Sequence, residues 1–106
     1  MKYDVIVSDE AKRLIEKQVH FIAVEKSEPQ NAAAWAYDVD SAIASLSSMP
    51  TRCALAPENQ LTSVTIHMLP VHSHLILFTV NEECRQVDVL SFRAGRQEPV
   101  QSLGEE

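Results

Sequence analysis

The chain predicts a two-layer α+β fold, in which a helical hairpin packs on a four-stranded, mostly antiparallel sheet. Three observations lead there. Apolar residues recur at three- and four-residue steps through the first half of the chain and at two-residue steps through much of the second. Pro50 stands at the change of period, where a helix cannot continue. Only 2 glycines occur among the 106 residues, so proline and short polar turns supply the punctuation. A chain of this length closes around one core, and the pattern places that domain at residues 1–96, with an aperiodic tail at 97–106.

Each element has a local reason. Tyr3, Val5 and Val7 alternate with neighbours on the other face and predict a first strand over residues 2–7. Ser8 reads as an N-cap, with Asp9 and Glu10 where the helix dipole favours negative charge. Ala11, Leu14, Ile15, Val19 and Ile22 then form one apolar stripe of a helix over residues 9–25. Ser27-Glu28-Pro29 predicts a restart, with serine as cap and proline in the first turn. The second helix, residues 29–48, carries Ala32, Trp35, Val39, Ile43 and Leu46 on its stripe and ends at Pro50.

Strands are expected at 63–69, 74–81 and 85–93, the second as a nearly continuous apolar run typical of a central strand. The expected core is Leu14, Ile15, Val19, Ile22, Val39, Ile43, Leu46, Leu77, Val87 and Val89, with Trp35 against it.

Composition narrows the function classes. Lys+Arg number 9 against 15 Asp+Glu, a formal net charge of -6, which disfavours tight generic binding to nucleic acid. No apolar run approaches the roughly 20 residues that span a bilayer. The first residues enter a strand pattern without a signal-peptide core, so a cytoplasmic protein is expected. Cys53 and Cys84 form no CxxC and have no ligand set around them; both are expected reduced, with no metal and no cofactor.

Two passages carry more than fold. Met49-Pro50-Thr51-Arg52-Cys53-Ala54-Leu55-Ala56-Pro57-Glu58 joins the helices to the strands, and Val89-Leu90-Ser91-Phe92-Arg93-Ala94-Gly95-Arg96 closes the last one. In these passages, and in the order of its elements, the chain resembles the RelE/ParE family of toxins of type II toxin–antitoxin systems. One branch of that family has a similar Pro-x-Arg-Cys-x-x-Ala-Pro-Glu connector, matched here by Arg52, Cys53, Pro57 and Glu58. Arg93, Gly95 and Arg96 match the family's closing Arg-His-Gly-x-Arg, with Ala94 in place of the histidine. A second departure lies at the start of the central strand, where many members have Tyr-Arg and this chain has His74-Leu75.

The resemblance implies a fold in which the first strand lies beside the last, a cognate antitoxin as partner, and a role in plasmid stabilisation or growth inhibition. Three activities are compatible with it. The first is ParE-like inhibition of DNA gyrase by protein binding. The second is a ribosome-dependent mRNA endonuclease of the RelE kind, against which the acidic balance and Leu75 count. The third is a non-toxic module that binds antitoxin. For contacts with antitoxin or target, Arg93 and Arg96 offer charge, and Phe21, off the main stripe, is expected to border an apolar groove with Ala33, Trp35 or Tyr37.

The remaining chemistry-bearing residues are weaker candidates. If residues 70–73 form a hairpin loop, Leu69 faces His74 and His67 lies diagonally on the same face. That reads either as an imidazole cluster able to bind metal or act as a base, or as polar residues on a solvated sheet face. The lack of a carboxylate or cysteine at ligand spacing favours the second. Trp35 on its stripe reads as core, and Arg52 with Glu58 could form an ion pair that orders the connector, with Leu55 buried beneath it.

Overall fold

The computed structural model describes residues 2–58 and 65–95. Its elements run β1 (Asp4–Val7), α1 (Asp9–His20), α2 (Pro29–Ala44), β2 (His67–Val71), β3 (His74–Asn81) and β4 (Gln86–Ala94). The strands lie in the order β1-β4-β3-β2, with β1 parallel to β4 and the other pairs antiparallel. Two helices on one face of this mixed sheet give the two-layer α+β fold that the change of period predicts.

Ser8 makes the first turn. Its Oγ accepts from the Ala11 backbone N–H at 3.0 Å and donates to the Leu90 carbonyl at 3.0 Å, so one hydroxyl both caps α1 and ties it to β4. Ser8→Ala is expected to lower stability by about 1 kcal/mol, the usual worth of an N-cap, measurable by thermal denaturation. Beyond His20 the helix widens into a single π-helical turn, Phe21–Glu25, which leaves Phe21 and Val24 exposed.

Several local expectations are corrected. Ser27 does not cap α2; it takes a left-handed conformation at φ 55°, and Glu28 holds the N-cap position without a side-chain bond to the helix backbone. Helix α2 ends at Ala44, before Pro50 is reached. There Ser45 Oγ donates back to the Ala42 carbonyl at 2.6 Å and the chain tightens into a 3-10 turn, Ser45–Ser47. Pro50, after a left-handed Met49, instead opens a further 3-10 turn. Strand β2 also lies later than expected. Residues 63 and 64 fall outside the described residues, and pairing continues through Pro70 to Val71, opposite His74. The hairpin loop is thus only His72-Ser73, with His72 at φ 55°, and Leu69 faces Ile76. Pro70 is tolerated because β2 is last in the sheet order, where a missing N–H can face outward.

A bulge in β4 decides what each face carries. Leu77 pairs with Ser91 but Phe78 with Val89, leaving Leu90 as an extra residue. Val87, Val89 and Phe92 therefore all face the helices. They join Ala11, Trp35, Val39, Leu46, Ile76 and Phe78 in the main core, flanked by half-buried Leu14, Ile15, Val19, Ile22 and Ile43. Leu77 is fully buried but belongs to the reverse face, with Ala56 and Ile66, and not beneath the helices as expected. The connector forms this second cluster by running back along β2. The Ala56 N–H donates to the Ile66 carbonyl and the Met68 N–H to the Ala54 carbonyl, each at 2.9 Å.

Candidate functional site

The connector's polar residues have three separate jobs. Arg52 closes the end of the helical hairpin: its guanidinium donates to the carbonyls of Ser48 at 2.7 Å and Met49 at 3.0 Å, and to Ser45 Oγ at 3.2 Å. Cys53 presents its carbonyl to His67 Nδ1 at 3.0 Å, while burial raises the pKa of its thiol and Arg52 only partly opposes this. A thiol held protonated is a poor nucleophile. Leu55, expected to be buried, is 58% exposed, and Pro57 is exposed too; Ala56 and Glu58 are the residues turned inward.

Glu58 is 0% exposed and meets Arg93, which is 4% exposed. Arg93 Nε donates to Oε2 at 2.6 Å and Nη2 to Oε1 at 3.3 Å, a forked contact that fixes both groups. Arg93 Nη1 also donates to the Ala94 carbonyl at 3.1 Å. Two expectations fall here. Arg52 and Glu58 do not pair, because their side chains leave the connector in different directions. Arg93 is not an exposed charge for a partner or target, because the bulge turns it onto the reverse face, beside Leu75, where Glu58 holds it. Arg96 lies outside the described residues.

The histidines are brought to one face but not together. His67 stacks on Phe78, with centroids 5.5 Å apart, at one end of β2. His74 stacks on Phe92 at 4.8 Å and meets the edge of Trp35 at 5.6 Å. His72 reaches from the loop to Asp38 Oδ2 on α2 at 2.8 Å. Both His67 and His74 face the helical layer and are partly buried, which corrects the solvated-face reading. No group of three or more His, Cys, Asp or Glu able to hold a metal is present among the described residues.

Burial, with His72 nearby, lowers the pKa of His74. The unfolded chain, with histidine near its ordinary value of about 6.5, then binds more protons than the folded one as pH falls. Stability should be fully present above pH ~6.5 and decline below it. His74→Phe should flatten that limb in thermal melts between neutral and mildly acidic pH.

A larger concavity than those around the histidines lies elsewhere. A groove of ≈ 870 Å³ opens between α1, α2 and the outermost strand β1, lined by Val5, Val7, Ile15, Val19, Ala36 and Ile43, with Lys12, Glu16, His20 and Asp40 adding charge. Its cause is legible: Ala11 is the only fully buried residue of α1, and the rest of the helix stripe is half-covered. Phe21, 44% exposed, lines a smaller pocket of ≈ 330 Å³ with Leu14, Lys17, His74 and Phe92. Neither Ala33 nor Tyr37 lines it, and Trp35 is core at 8% exposure. Tyr37 is 72% exposed on α2.

Sequence reasoning missed both the ion pair and the interhelical groove. The pair had a signal: Arg93 sits opposite Leu75 in an apolar stretch, a setting in which arginine needs an acid. The groove had none, since half-covered and covered stripes look alike in sequence.

No protein-family profile and no curated protein sequence matches the chain. Solved structures do. A chain of the chromosomal ParDE TA system from P. aeruginosa superposes with a TM-score of 0.66 at 13% identity, covering 88% of this chain and 96% of that one. A chain of the toxin–antitoxin complex RelBE2 from Mycobacterium tuberculosis gives 0.58 at 21% identity, covering 89% and 99%. A chain of the archaeal RelE-RelB complex from Pyrococcus horikoshii OT3 gives 0.58 at 12% identity, covering 92% and 99%. The chain has the RelE/ParE toxin fold over nearly its whole described length.

Proposed function

We propose that this chain is the toxin-like component of a type II toxin–antitoxin pair, held by a cognate antitoxin and acting through protein contact in the manner of ParE. The observation that carries the antitoxin partner is the groove between α1, α2 and β1, an apolar trough bordered by a strand with no neighbour on its outer side among the described strands. Such a trough suits an amphipathic or extended segment that folds as it binds. The structural neighbours come from toxin–antitoxin complexes, which supports the same partner class.

Action by protein contact, with DNA gyrase as the ParE-like target, is favoured over ribosome-dependent mRNA cleavage by the state of Arg93. Stabilising a phosphodiester transition state requires a cation aimed at the developing charge. Here Arg93 is 4% exposed and engaged by Glu58, Leu75 stands beside it where many members of the resembling family have arginine, and the net charge is -6. The same burial removes Arg93 from target contact, which keeps the non-toxic antitoxin-binding reading as the second one. The expected location is the cytoplasm, and none of the described helices is long and apolar enough to cross a membrane.

Growth assays separate these readings. Induction of the chain alone should arrest growth, and co-induction of the adjacent small reading frame should restore it. Lysates should then show impaired supercoiling by gyrase and intact mRNA. Arrest with cleaved mRNA would move the reading to the endonuclease, and no arrest at any level would move it to the inert module.

A further inference from the structure

His74 presents a problem that the fold leaves unsolved. Its ring is fixed between Phe92, stacked nearly parallel at 7°, and the edge of Trp35. In that position Nδ1 is buried and has no hydrogen-bond partner. A buried polar atom without a partner is costly, and phenylalanine would stack on Phe92 and Trp35 as well as imidazole does. Packing therefore does not account for a nitrogen heterocycle here. An orphaned lone pair costs less than an orphaned N–H, so the neutral ring carries its proton on Nε2 and offers that N–H as a donor.

The pocket that His74 lines supplies the rest of a recognition site. Leu14 from α1, Phe21 from the π-helical turn after it and Phe92 from β4 provide an apolar and aromatic wall; Lys17 and Gln18 add polar groups, and Arg93, engaged by Glu58, also lines it. Its volume, ≈ 330 Å³, falls at the lower end of small-ligand pockets. We propose that this pocket is a binding site for a small carboxylate with a flat apolar body, whose ring rests against Phe21 and Phe92 while its carboxylate accepts from Lys17 and His74. A carboxylate is favoured because the charged side chains of the lining, Lys17 and Arg93, are both cations and no acid lines it, so charge complementarity is local in a protein that is acidic overall. The site is distinct from the groove between α1, α2 and β1, and its existence does not depend on the toxin–antitoxin reading.

Titration of the full chain with 3-phenylpropionate, followed by calorimetry and by the ring ¹⁵N signals of His74, tests this directly, with 3-phenylpropanamide as the uncharged analogue. The acid should bind saturably at one site, at least tenfold more tightly than the amide, and shift the Nε2 signal. Lys17→Met should abolish the preference for the acid. His74→Phe should weaken the acid several-fold while raising the melting temperature at neutral pH, since it removes the orphaned nitrogen and keeps the stack. Equal binding of acid and amide, no saturation at millimolar acid, or a lowered melting temperature in His74→Phe would each overturn the proposal.

Discussion

Replacing Glu58 with Gln should destabilise the fold by about 3–5 kcal/mol, the usual penalty for leaving one member of a buried ion pair without its counter-charge. The side chains of Glu58 and Arg93 are 0% and 3% exposed, so solvent screening gives little relief. The loss should be local as well as global. Glu58 anchors the connector over Ala56, Ile66 and Leu77, and without it the reverse-face cluster opens to water. Replacing both charged residues with similar-sized apolar ones, as in Glu58→Leu/Arg93→Met, should recover most of the loss, because the desolvation cost disappears along with the attraction. Urea unfolding of Glu58→Leu, Arg93→Met and the double variant gives the coupling directly. A loss of less than 1 kcal/mol in Glu58→Gln would mean that the connector is held by something else.

Phe78→Ala should cost a similar amount, about 3–5 kcal/mol. Phe78 is the largest fully buried side chain, lies on the central strand β3 opposite Val89 and His67, and faces the helices. Its neighbours are held by two strands and cannot collapse into the space, so a cavity term adds to the lost transfer energy. Ile15→Ala, on the half-covered stripe of α1, should cost less than half as much because water already reaches it. Thermal or urea unfolding that ranked Ile15 above Phe78 would show that the two layers meet differently.

The contrast between these residues explains how much of the molecule was legible in the sequence. The order of elements, the helical hairpin and the central strand followed from periodicity, since period 3.6 and period 2 are properties of the local backbone. The chain ends of those elements were less legible. Helix α2 stops where a serine hydroxyl bonds its own backbone, and β2 extends through a proline that only an outer strand tolerates. Neither rule is visible until tertiary position is known.

The bulge at Leu90 was the most consequential omission. One extra residue moved Arg93 from an expected exposed position to a buried one and put Val89 and Phe92 on the same face. Of the residues singled out for partner contact, Phe21 is exposed in a pocket and Tyr37 is exposed outside it, while Arg93 is a buried structural charge. Composition could not distinguish these fates, because each depends on register.

Association with the product of the adjacent small reading frame is the measurement that bears most directly on the central claim. The two proteins should co-purify as a complex. The variant Ile15→Glu/Val19→Glu, which puts two carboxylates into the apolar trough, should weaken that complex at least a hundredfold while retaining the far-UV circular dichroism and cooperative unfolding of the parent. Tyr37→Ala, at an exposed position outside the trough, should leave affinity within about threefold. If the double variant folds and binds as tightly as the parent, or if the parent never associates with its neighbour, the groove is not an antitoxin site.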